Sequence, residues 1–86
     1  MTAAEFVQET KRLGKLRDAD GVIELRRLHY LDVMLDLTHQ QWVLVEAEMK
    51  WARRICDPEQ YARMHQELIG PMYEKLRAQD AKLRGE

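Results

Sequence analysis

His29, Asp32, Asp36 and His39 are the residues of this chain whose types and spacing come nearest to a chemical site. Intervals of three, four and three residues set them along one side of a helix. Imidazole and carboxylate groups at i, i+3 and i+4 are how helices present ligands to a metal ion. The same spacing also describes an ordinary solvated helix face. The Glu-x-x-His pairs of di-metal bundles are missing from the sequence, and no second segment carries a matching ligand set. A solvated face is therefore the expectation, with metal binding through these four residues as an alternative.

Other chemistry is sparser still. Cys56 is the single cysteine, so the chain forms no internal disulfide. Arg53 and Arg54 lie nearby, but no Cys or His motif surrounds it, and it reads as a small apolar residue and not as a nucleophile. His65, beside Met64, reads as a surface histidine. There is no Gly-rich phosphate loop and no Ser/His/Asp arrangement. No catalytic residue and no cofactor are expected. Lys11, Arg12, Lys15 and Arg17, with Lys50, Arg53 and Arg54, raise nucleic-acid binding as a second alternative. Glu5, Glu9, Asp18 and Asp20 offset the first group, and the second group complements the dipole at a helix C-terminus.

Composition supports the same view. Charged residues are 34% of the chain and apolar ones 45%, with a net charge of −1, a balance typical of solvated helical faces rather than of a nucleic-acid or membrane binder. A chain of this size buries only about 60–65% of the surface its unfolded form exposes, so the core is thin. One cysteine suits a reducing compartment. Met1–Gln8 is not basic and no apolar signal core follows it. The stretch Leu37–Val45 is too short to span a bilayer. A cytoplasmic protein with no membrane partner is expected.

The elements that must position these residues are helices. Thr2-Ala3-Ala4-Glu5 has the form of a capping box, opening a helix over about 3–17. Asp18-Ala19-Asp20-Gly21 breaks the pattern. From about 21 to 56 there is no proline and no internal glycine. A 3.5-residue count picks out Leu28, Leu31, Leu35, Thr38, Trp42, Val45, Met49, Ala52 and Cys56 as one seam. Thr38-His39-Gln40-Gln41 could itself be a capping box, but the seam keeps its phase across it, so one long helix is expected. Asp57-Pro58-Glu59-Gln60 starts a third helix over about 58–83, with a kink or break at Gly70-Pro71. Its stripe is Tyr61, Met64, Leu68, Met72 and Leu76.

The resulting expectation is a single all-α domain over 1–86: three helices, with a long central helix that forms an αα-hairpin with the C-terminal one. Leu28, Leu31, Leu35, Trp42, Val45 and Met49 should pack against the third helix's stripe as the core. A second set, Ile23, Tyr30, Leu37, Leu44 and Trp51, lies about 100–160° around the helix, with Met34 between the two. Nothing in the chain is left to cover it. Exposing it would leave an apolar patch that monomers rarely tolerate. The sequence thus predicts a non-enzymatic helical interaction module, an adaptor, chaperone, inhibitor or accessory subunit. It should bind protein through that second stripe, with dimerisation completing the fold.

Overall fold

Side chains placed to receive orphan amides decide where each helix begins. In the computed structural model, which describes residues 1–85, these starts give four helices and, among the described residues, no strand: α1 (Ala3–Lys15), α2 (Ala19–Val33), α3 (His39–Ile55) and α4 (Pro58–Leu83). The Thr2 hydroxyl accepts from the Glu5 amide at 3.2 Å, and the Glu5 carboxylate accepts from the Thr2 amide at 3.0 Å. Asp18 accepts from the Gly21 amide at 2.9 Å. Asp57 accepts from the Glu59 amide at 3.0 Å, with Pro58 in the first turn, where its missing donor costs nothing.

The expected long helix is two helices. Thr38 accepts from the Gln41 amide at 3.1 Å while the Gln41 side chain accepts from the Thr38 amide at 3.0 Å. That reciprocal box satisfies two donors that a new helix would otherwise leave unpaired. The Asp36 amide donates to the Val33 carbonyl at 2.9 Å and closes α2. Periodicity could not reveal the break because the apolar phase runs through it unchanged. By contrast, α4 continues through Pro71 without interruption.

Cross-helix pairs fix the directions. Arg26 on α2 meets Glu46 on α3 at 2.9 Å. Going along α4, Gln60 Nε2 donates to the Asp20 carbonyl at 3.0 Å, Glu67 accepts from Arg27 at 2.7 Å, and Lys75 Nζ donates to the Leu31 carbonyl. Residue numbers rise together on both helices, so α2 and α4 run parallel. On the other side, α1 lies against α2 and α3, with Gly14 seated on the Glu48 side chain and Arg17 over the Trp51 ring at 5.3 Å. Arg17 has a left-handed φ of 54°, and the Asp18 and Arg17 amides donate back to Leu13 and Gly14 to end α1. Only α2 packs extensively on all three other helices.

This arrangement redistributes the two expected stripes. Ile23 is 0% exposed and Tyr30 3%, so both belong to the core and not to a partner interface. The reason is α1, which covers that side of α2 and brings the Phe6 ring to 6.1 Å from Tyr30. Met34, Leu37, Leu44 and Trp51 are half-buried against the same core. From the expected seam, Val45, Met49, Met64 and Leu68 are buried, and Leu31, Tyr61 and Met72 are half-buried. Leu28, Leu35, Trp42 and Leu76 are exposed, which corrects their assignment to the core. Once the chain turns at Thr38, positions on α2 and α3 no longer share one face.

Ile23→Ala should therefore cost about 2–5 kcal/mol in urea unfolding, whereas Leu28→Ala, at a site 54% exposed, should stay within about 0.5 kcal/mol of the parent. Thr38→Ala should lose about 1 kcal/mol by the same measurement, because the Gln41 amide in the first turn of α3 loses its acceptor.

Candidate protein-binding groove

α3 and α4 diverge from their short link, and the space between them is an open groove of about 700 Å³. Its floor is apolar: Met49 from α3 and Met64 and Leu68 from α4, all buried. Tyr61, Ile69 and Met72 line the α4 wall at helical spacing. Below them the Arg26–Glu46 pair lies across the base, with the Arg26 guanidinium 4.2 Å from the centre of the Tyr30 ring. That pair shields the core aromatic from the groove.

The α3 wall is basic. Lys50, Arg53 and Arg54 are exposed there, and among the described residues none of them has a carboxylate within ion-pair distance. Arg53 extends over the Tyr61 ring at 5.1 Å, and His65 stacks on the same tyrosine at 6.1 Å. Cationic and π faces are thus layered at the end of the groove nearest the α3–α4 link. Glu46 is the sole acidic residue of the lining, and Arg26 already holds it.

The groove exists because α4 is tied to α2 and not laid directly along α3. Arg27 makes that tie, bonding Glu24 on its own helix and Glu67 on α4. Its hydrogen bonds hold the Glu24 and Glu67 carboxyls below the usual range, and they raise the Arg27 pKa in return. At the closed end, Cys56 is buried with its Sγ 3.6 Å from the Arg53 carbonyl. Burial, reinforced by Asp20 and Asp57, pushes its thiol pKa up, which keeps it protonated and poorly nucleophilic.

The other sequence-level sites do not assemble. His29 and Asp32 lie on α2, Asp36 lies in the turn, and His39 begins α3 and stacks on Trp42 at 6.2 Å. Breaking the helix removes the common face on which a metal site depended. Among the described residues no group of three or more His, Cys, Asp or Glu side chains is placed to hold a metal ion. The basic residues are divided as well: Arg17 is on the α1 side of α3, and Arg53 is on the α4 side. No helix among the described residues is long and apolar enough to cross a membrane.

A closed hairpin between the seam and the third helix's stripe would bury Trp42 and Met49 against Tyr61 and Met72. In the structure Met49 and Tyr61 both line an open groove, and Trp42 is exposed. The methionines Met49, Met64 and Met72 beside Lys50, Arg53 and Arg54 were the available signal, but a tightly paired hairpin left them no role. No protein-family model, no curated protein and no solved structure matches the chain.

The lowered carboxyls give a signed prediction. The unfolded chain protonates its glutamates near pH 4.3, above the folded values of Glu24 and Glu67. Stability from this network is complete above that pH and is lost as pH falls through the lowered values. Arg27→Leu should be less stable near neutrality and should lose less on acidification than the parent. Urea midpoints measured from about pH 6 to about pH 3 would read both effects.

Proposed function

We propose that this chain is a non-enzymatic helical interaction module that self-associates through the distal half of α4. One observation carries the reading. α2 ends at Val33, and Lys75 already bonds the Leu31 carbonyl near that end. The last two turns of α4 therefore run beyond the helix that supports the first half. They remain helical to Leu83, with Leu76 and Leu83 exposed.

Helices in proteins take most of their stability from packing an apolar face, not from propensity alone. An apolar face on an unsupported extension is consistent with a partner helix lying along it. The apolar positions are also symmetric about Leu76, with Ile69 and Leu83 seven residues to either side. An antiparallel pair of α4 helices crossing at Leu76 would set Ile69 of each copy against Leu83 of the other. Such a two-fold contact uses one surface twice, which is the commonest way soluble chains form dimers.

The parent should behave as a dimer in sedimentation equilibrium, and Leu76→Glu should convert it to monomer, with helicity lost only from the last turns of α4. In a Cys56→Ala background, Leu76→Cys should oxidise to a disulfide-linked dimer, because a two-fold axis at that residue brings the two sulfurs together. A strictly monomeric parent at high concentration, or a Leu76→Cys variant that never cross-links, would overturn the reading.

A further inference from the structure

We infer that the α3–α4 groove binds an acidic amphipathic helix of a different protein. This rests on the reading of the chain as an interaction module; the groove meets the proposed dimer face only at Ile69 and does not require the dimer.

Charge makes the choice of occupant. The wall supplied by α3 presents Lys50, Arg53 and Arg54, and among the described residues no ion pair neutralises them. The lone acid of the lining, Glu46, is engaged by Arg26. An occupant that buries its apolar side on Met49, Met64 and Met72 must bring its flank against Lys50, Arg53 and Arg54. Asp or Glu along that flank would pair with them, and Lys or Arg would be repelled.

A second copy of this chain does not fit that requirement. Its free helical face, the distal half of α4, carries Lys75, Arg77 and Lys82 against Glu74 and Asp80. The apolar face of α1 is already spent in the core and is flanked by Lys11, Arg12 and Lys15.

Shape and chemistry agree with a helical occupant. From Tyr61 to Met72 the α4 wall runs for about 16 Å, or three helical turns. A helix of that length offers anchors at i, i+4 and i+7, the spacing used when amphipathic helices dock in grooves. Methionine lines both sides, and its unbranched, polarisable side chain adapts to anchors of different shape. Because the cations cluster toward the α3–α4 link, the acids of the occupant belong at the end of the helix that lies there.

The test is anisotropy titration of the full chain with a labelled synthetic helix bearing Leu anchors at that spacing and Glu along one edge. Two controls accompany it: the same helix with Lys in place of Glu, and a scrambled peptide of the acidic composition. The acidic helix should bind, with affinity falling as salt is raised. Lys50→Glu with Arg54→Glu should weaken it by about tenfold or more and should favour the Lys peptide instead. Leu76→Glu should bind the acidic helix as the parent does, which separates failure of the groove from failure of the dimer. Equal binding of the scrambled or basic peptide, no binding of the acidic one, or an unchanged affinity in the charge-reversed variant would overturn the inference.

Discussion

Burial of α2 on three sides is the constraint on which the rest of this molecule depends. Ile23 and Tyr30 are among its most buried side chains, and α2 alone packs extensively on α1, α3 and α4. A chain of 86 residues has a thin core, and here its burial is concentrated around one helix. α1 and α3 then close on one side through Phe6, Leu13, Val45 and Ala52, and α4 is left to pack chiefly on α2 through Met64 and Leu68. The open groove goes with this arrangement: α4 packs against α2 and leaves the space beside α3 unfilled.

Polar contacts complete what the small core leaves undone. Arg27 spans α2 and α4 with its side chain 15% exposed, a setting in which an ion pair is less screened than at an open surface. Lys75 takes up the Leu31 carbonyl near the C-terminus of α2, where helical carbonyls lack partners. The Asp20 carbonyl and carboxylate receive Gln60 and the Asp57 amide, which pins the start of α4. Orientation of α4 is therefore set by a ladder of hydrogen bonds at its near edge, and apolar burial supplies the attraction. The far edge, facing the groove, bears no such ladder.

How much of this was legible in the sequence depended on whether a feature was local. The caps at Thr2, Asp57 and Thr38 are short-range chemistry, and each is spelled out by three or four letters. The Thr38 box was visible too, but apolar phase was allowed to outweigh it. Phase is a property of the residue list, whereas a capping box removes real unpaired donors, so the box decided the backbone. From that one choice the exposure of Leu28 and Trp42 follows, while α1 accounts for the burial of Ile23 and Tyr30. The groove was not legible, because it depends on the angle at which two helices leave a common turn. No periodicity records that angle.

An apolar face can be left uncovered in a small helical protein for two reasons, and the two differ in what borders it. Shortage of chain leaves isolated apolar residues beside charged ones, as at Leu28, with Glu24 and Asp32 one turn to either side. A surface shaped for a partner carries an organised rim. The groove has apolar positions in helical register on α4, and on the opposing wall three cations with no ion pair among the described residues. Those cations do favour the α3 dipole, but helix stability alone needs them only near the last turn and sets no requirement on which side they face. Lys50 lies a full turn earlier and lines the same groove as Arg53 and Arg54. That shared direction is what the proposed acidic helix would meet along its flank.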